Sequence, residues 1–302
     1  MKLGLAGIAM AALLSGCAPS FYDGIPPGAP KNAMYADIGG TRIRFVDEGE
    51  GPPVVLIHGF ASALDTWRGV MAELSKTHRV LALDLKGFGW SSRPAGDYSP
   101  QAEAQLVLAL MDQRNIHAAA VVAHSWGASV ALALALAAPE RVTRLALYDA
   151  WVYEEQLPTT FLWARAGVVG EALFDVFYSE RPDEKMARAF YDPDTYITER
   201  FVEEVERALD RPGTVAAALA AVRGQRYADV QKQYAGIKQP TLLLWGREDQ
   251  VTLLSYGERL AHELPHARLV VYPHCGHMPM IEAAGVSTDE LARFLDPSGE
   301  KP

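Results

Sequence analysis

Cysteine is scarce in this chain: two occur among 302 residues, Cys17 and Cys275. Two thiols do not make a disulfide scaffold, and a chain of this length buries enough apolar surface to fold without one. Positive charge is also in short supply. Lys and Arg number 28 against 37 Asp and Glu, the formal net charge is −9, and no Lys/Arg block occurs. That balance argues against nucleic acid as a partner, which would need a basic surface to meet its phosphates. No apolar run is long enough to span a bilayer, since Leu3 to Leu14 and Trp126 to Ala138 both fall short. No His/Cys/Asp set has metal-ligand spacing, and no P-loop or Gly-x-Gly-x-x-Gly follows a strand. Neither a metal nor another cofactor is implied.

At the N-terminus, Lys2 precedes a 12-residue apolar run and then Leu14-Ser15-Gly16-Cys17. A short positive start, an apolar stretch and small residues form a secretory signal. The ending resembles the lipobox of bacterial lipoproteins. The resemblance implies removal of residues 1–16, lipidation of Cys17 and a membrane anchor, since stable anchoring takes more than one acyl chain. Ala18, rather than Asp, implies the outer membrane if the host is Gram-negative. The alternative is an ordinary signal peptide that contains a cysteine. With Cys17 lipidated, Cys275 is alone and no intramolecular disulfide can form. Residues 17–33, with Pro26-Pro27-Gly28-Ala29-Pro30, lack periodicity and read as a semi-rigid tether that would hold the domain off the bilayer.

From Met34 onward strands alternate with helices. Met34 to Asp47 reads as two short strands around Gly39-Gly40, a hairpin signal. Val54–Ile57 is a continuous apolar run that should be buried on both faces of a parallel sheet, Arg79–Leu83 is the next buried strand, and Ala118–Ala123, Val142–Tyr148, Thr241–Trp245 and Arg268–Tyr272 read as further strands. Helices are expected between them, near 66–75, 99–114, 126–138, 253–263 and 288–295. The rhythm breaks from Trp151 to Tyr234. That stretch carries 13 of the 28 aromatics in 84 residues and reads as an inserted helical cap, or lid. The core is then 34–150 with 235–302. The class is α/β, and ligands of such sheets sit beyond the carboxyl ends of the strands.

The sharpest local feature is Val121-Val122-Ala123-His124-Ser125-Trp126-Gly127-Ala128, a strand running into a helix with a serine at the junction. Small residues two positions either side allow the tight turn that exposes a hydroxyl. An alcohol needs a base within hydrogen-bond reach and a third group to orient that base. His277, in the loop after the last strand, is the candidate base. Asp249, after the preceding strand, is the candidate orienting acid. The chain order Ser, Asp, His is that of α/β-hydrolases.

Five segments together resemble the α/β-hydrolase superfamily, in particular its capped members, from about Tyr35 to Leu295. They are His58-Gly59-Phe60, Asp84 with Gly87-Phe88-Gly89 and Ser91, Ala123-His124-Ser125-Trp126-Gly127, Gly246-Arg247-Glu248-Asp249, and Gly276-His277. The resemblance implies an eight-stranded, mostly parallel sheet with helices on both faces. It implies a triad of Ser125, Asp249 and His277, with the backbone N–H groups of Phe60 and Trp126 as the oxyanion hole. Ala123 stands where the family usually has glycine, and Lys86 where arginine is common. Asp149 also ends a strand, and some members place the acid there, so it remains an alternative to Asp249. His58, His124 and Trp151 are possible pocket residues, with support of the loops as the other reading for the two histidines. Cys275 reads as a small buried residue.

Serine at 125 sets the chain apart from the similar haloalkane dehalogenases and epoxide hydrolases, which attack with Asp. The expected activity is hydrolysis of a carboxylic ester, hydrophobic or lipid-like given the anchor and the aromatic lid. Carbon–carbon bond hydrolases and proline iminopeptidases are serine-bearing alternatives. A non-catalytic, surface-tethered binding protein is the alternative of a different class.

Overall fold

The computed structural model describes residues 19–167, 170–171 and 182–296. The expected signal segment and Cys17 lie outside the described residues. Eight strands form one sheet: β1 (Met34–Ile38), β2 (Thr41–Glu48), β3 (Pro53–Ile57), β4 (Arg79–Leu83), β5 (Ala119–His124), β6 (Val142–Tyr148), β7 (Thr241–Gly246) and β8 (Ala267–Tyr272). Their order is β1-β2-β4-β3-β5-β6-β7-β8. The β1–β2 and β2–β4 pairs are antiparallel, and every later pair is parallel. Gly39 and Gly40 turn the β1–β2 hairpin with φ of +59° and +85°, the double positive φ that a two-residue hairpin turn of this hand requires.

The continuous apolar strands are explained by two cores. Alternate side chains of one strand enter opposite layers: Val55 and Ile57 of β3 go to one, Val54 and Leu56 to the other. The same split divides Val121 and Ala123 from Ala120 and Val122 on β5, and Leu243 and Trp245 from Leu242 and Leu244 on β7. A sheet covered on both faces leaves its polar chemistry to the strand ends, where the backbone must leave the ladder.

The helix Trp126–Ala137 follows β5 directly and is buried on nearly every side, which accounts for its lack of a polar face. Ser99 caps the helix Pro100–Gln113 by accepting from the Ala102 N–H, with Pro100 at the first position. No helix among the described residues is long and apolar enough to cross a membrane.

Between β6 and β7 the described chain forms short helices, including Thr159–Ala164, Glu199–Leu209 and Thr214–Gly224. Leu157, Phe161, Ala164, Ala218, Leu219, Val222 and Tyr227 give this insertion a small core of its own. The described part of the N-terminal stretch, residues 19–33, is docked on the domain rather than free of it. Tyr22 and Arg93 exchange both backbone hydrogen bonds at 2.8 Å, and Pro26 is buried.

Candidate functional site

The site grows from the end of β5. Ser125 has φ +51° and ψ −124°, a conformation an L-residue adopts only when its surroundings impose it. The imposing bonds are from the Ser125 N–H to the Tyr148 carbonyl at 2.9 Å, and from Ala128 and Trp151 N–H to the Ser125 carbonyl at 2.9 and 3.1 Å. Close approach explains the flanking glycines. A Cβ on Gly127 would stand 2.4 Å from the His58 carbonyl oxygen, and one on Gly59 2.9 Å from His124 Nδ1 and 3.1 Å from Ser125 Cβ. The His58–Phe60 loop is thereby held against the serine turn.

The loops after β7 and β8 bring Asp249 and His277 together. His277 Nδ1 donates to Asp249 Oδ2 at 2.7 Å, and both side chains are buried. Asp249 is itself fixed. Its Oδ1 accepts from the N–H groups of Val251 and Thr252 at 2.6 and 3.0 Å, and its Oδ2 from the Thr252 hydroxyl at 2.6 Å. Burial pushes the carboxyl pKa upward, but the His277 ring and the Thr252 donors outweigh it and leave Asp249 below the usual carboxylate value. An ionised Asp249 holds the proton of His277 on Nδ1 and leaves Nε2 as an acceptor.

His124 ties this loop to the serine turn. Its Nε2 bonds the His277 carbonyl oxygen at 2.8 Å, and the two rings lie 4.7 Å apart. His58 is sealed: Nδ1 donates to the Gly59 carbonyl at 2.7 Å and Nε2 accepts from the Leu85 N–H at 2.9 Å. With both nitrogens committed to backbone, His58 supports the loop and offers no polar atom to a substrate. Trp151 is half-buried, with its ring 6.1 Å from Phe161. Phe60 packs on Phe161 at 5.5 Å, Phe88 at 5.4 Å and Trp126 at 6.2 Å, so the wall beside the Ser125 turn is aromatic. Trp126 opens its helix, so its N–H has no intrahelical acceptor.

Burial, reinforced by the neighbouring His277 ring, pushes the His124 pKa down to about 3. Its unfolded value is about 6.5, so between those limits the unfolded chain binds the extra proton. Stability is then complete above about pH 6.5 and declines as the pH falls toward 3. Denaturant unfolding at pH 7.5 and pH 5 should show this loss, and His124→Asn should flatten it. An unchanged slope in that variant would assign the acid sensitivity elsewhere.

One neighbour was not legible as part of the site: Thr252, three residues beyond the acid, has no motif of its own. Asp149, the alternative acid, ends β6 with φ +43° and is fully buried. Its Oδ1 accepts from the Gly246 N–H at 2.9 Å, and its Oδ2 meets no donor among the described residues. Burial, with the charge of Asp249 beside it, pushes its pKa well above the usual carboxylate value. Asp149, Asp249 and His277 bring ligand-type atoms within 4.8 Å of one another, a proximity that linear spacing did not reveal. Cys275 is fully buried, and burial raises its thiol pKa, which leaves it unreactive. Asp84 holds the glycine-rich loop from inside, accepting from Leu64 and Trp90 N–H at 2.7 Å each.

A profile described as alpha/beta hydrolase fold matches residues 52–284. Over 285 residues the chain is 31% identical to a 2-hydroxymuconate semialdehyde hydrolase of Pseudomonas sp. (strain CF600), covering 89% of this chain and 96% of that one. The crystal structure of Cfl2 from Burkholderia cenocepacia superposes with a TM-score of 0.79 at 27% identity, over 92% of this chain and all (100%) of that one. A meta-cleavage product hydrolase from Pseudomonas fluorescens IP01, CumD, in a mutant form complexed with acetates, superposes with a TM-score of 0.74 at 28% identity, over 86% and 96%. The match extends over strands, elbow and the loops that carry Asp249 and His277, and on it the chain belongs to the alpha/beta hydrolase fold family and is a hydrolase.

Proposed function

We propose that this hydrolase cleaves a carbon–carbon bond beside a keto group in a small oxo-acid of the kind named for its semialdehyde hydrolase relative. The observation that carries the chemistry is the 2.7 Å Asp249–His277 pair tied through His124 to the strained Ser125 turn. Ser125 Oγ attacks the carbonyl carbon while His277 Nε2 takes its proton. The oxyanion is met by the N–H groups of Phe60 and Trp126, where one such donor is typically worth about 2.7 to 4 kcal/mol of barrier. The carbon–carbon bond breaks, the departing carbon receives the proton from His277, and the acyl group stays on Ser125. Water, deprotonated by His277, then releases the carboxylic acid. One water is consumed: its hydroxyl ends on the acyl carbon, and the proton His277 takes from it returns to Ser125 Oγ in place of the one given to the leaving fragment.

Ester hydrolysis uses the same groups with an alcohol leaving, and the aromatic wall of Phe60, Phe161 and Trp151 favours it as a second reading for an uncharged, hydrophobic acyl group. The two separate in one assay. Bleaching of 2-hydroxymuconate semialdehyde is followed beside release of p-nitrophenol from C2 to C12 esters. The carbon–carbon reading expects kcat/KM at least tenfold higher for the semialdehyde. The opposite ranking transfers the assignment to ester hydrolysis.

The proposal includes an exported, lipid-anchored enzyme, supported by Leu14-Ser15-Gly16-Cys17 after the apolar run. Labelled palmitate fed to a bacterial host should enter the chain, and Cys17→Ser should abolish both labelling and sedimentation with membranes. Labelling that survives the substitution would exclude Cys17 as the anchor.

A further inference from the structure

We infer that the cap edge bearing Leu162 and Trp163 is seated on the lipid surface, together with Phe21 at the N-terminal end of the described chain. The inference rests on the lipid-anchor reading above and adds an orientation to it. It begins with the length of the leash. Tyr22 is locked to Arg93 by two backbone bonds of 2.8 Å, and Gly213 lies so close that a Cβ there would stand 2.9 Å from the Tyr22 backbone nitrogen. The buried Arg93 guanidinium reaches the Ser91 and Gly89 carbonyls at 2.7 and 2.9 Å and the Thr214 hydroxyl at 3.0 Å, which joins this clamp to the first residue of the helix Thr214–Gly224. Five peptide steps separate Cys17 from Tyr22, so an acylated Cys17 stands within about 18 Å of the clamp even with the chain fully extended.

The second step is what surrounds that point. Pro19 and Phe21 line a cleft of about 530 Å³ with Leu219, Ala220, Arg223 and Arg226. Arg223 crosses from it and donates to the Ala164 carbonyl at 3.0 Å, so the helix Thr159–Ala164 stands on the same edge. That helix has two unlike faces. Phe161 and Ala164 are buried inward, Phe161 against Phe60 beside the candidate nucleophile. Outward, Leu162 is 43% and Trp163 56% exposed, and Phe21 is 39% exposed at the edge of the leash. Large apolar side chains left adjacent in solvent mark an interaction surface, and tryptophan favours the bilayer interface in particular. A lipid surface is the occupant to which the leash delivers this edge. The same short helix would then present one face to lipid and the other to the site.

The test uses the full chain, processed in a bacterial host and reconstituted into phosphatidylcholine vesicles that contain brominated lipid. An environment-sensitive fluorophore is placed at Leu162→Cys, and in a separate protein at Val286→Cys, a residue 61% exposed on the helix Ala284–Leu295. Sedimentation with vesicles is read on the same samples. The expected result is co-sedimentation of both, with quenching at 162 at least threefold that at 286. Co-sedimentation with equal or weaker quenching at 162 overturns the orientation while leaving the anchor standing. Failure to sediment overturns the anchor and the orientation with it. Inserting a 20-residue Gly/Ser linker between Ala18 and Pro19 should at least halve quenching at 162 without releasing the protein, and undiminished quenching there overturns the short-leash argument.

Discussion

Ser125→Ala is expected to lower turnover by a factor of about 10⁶, the loss seen when the nucleophile of a serine triad is removed. The loss is large because the remaining machinery has nothing to act through. His277 would still be oriented by Asp249 at 2.7 Å, and the elbow would still have its backbone bonds to Tyr148, Ala128 and Trp151. Alanine keeps a Cβ and inherits the same positive φ, so the strain of the turn is unchanged and unfolding free energy should stay within about 0.5 kcal/mol of wild type. Two measurements check this: kcat on the preferred substrate, and labelling by a fluorophosphonate, which the wild-type serine should accept and the variant should refuse. Labelling of the variant at wild-type yield would place the nucleophile elsewhere. A wild-type chain that neither reacts nor turns over any substrate would support the inert, surface-tethered alternative.

Asp249→Asn should cost about 10⁴-fold in kcat, and Asp149→Asn less than tenfold, although both carboxyls lie beside the same histidine. The difference is one of charge state. Asp249 is held ionised by the His277 ring and by the Thr252 hydroxyl and N–H. Its carboxylate accepts the Nδ1–H, and an amide in its place could present a donor there and favour the wrong tautomer. Asp149 is driven to its neutral form by burial and by the charge of Asp249. An amide is close to it in shape and charge, and can still accept from the Gly246 N–H through its carbonyl. Measuring kcat/KM for both variants on one substrate decides between them. If Asp149→Asn proved the more damaging, Asp149 would be the orienting acid and Asp249 its support. The sign for stability is also fixed: the depressed pKa of Asp249 adds stability above its unfolded value near pH 4, and this is lost as the pH falls further.

The aromatic cap and the proposed anchor suggested a lipid-like ester, whereas a hydrolase that aligns with 89% of this chain is named for a small semialdehyde. The candidate residues Ser125, Asp249 and His277 do not distinguish these, because both reactions begin with attack on a carbonyl.

What the sequence determined by itself is whatever has a short period or a local cause. The strands announced themselves because side chains two apart enter the same core, and a sheet covered on both faces needs apolar residues at every position. The hairpin at Gly39-Gly40 and the elbow at Ser125 were legible because a positive φ or a tight approach leaves small residues in fixed places. The order of Ser125, Asp249 and His277 followed from the strands that carry them.

What only the tertiary structure decided depends on contacts between distant positions, which no spacing encodes. Of the two readings of His58, loop support is the one its contacts fit, because its ring meets the Leu85 N–H, 27 positions on. Asp149 and Asp249 became unlike carboxyls only when β6 and β7 lay side by side and one was left without donors enough to stay ionised. The stretch 19–33 read as a tether because it lacks periodicity, yet Tyr22 finds its partner in Arg93. A single paired bridge stabilises a segment without leaving any repeat in its composition, so the sequence could show that this stretch is irregular but not that it is held.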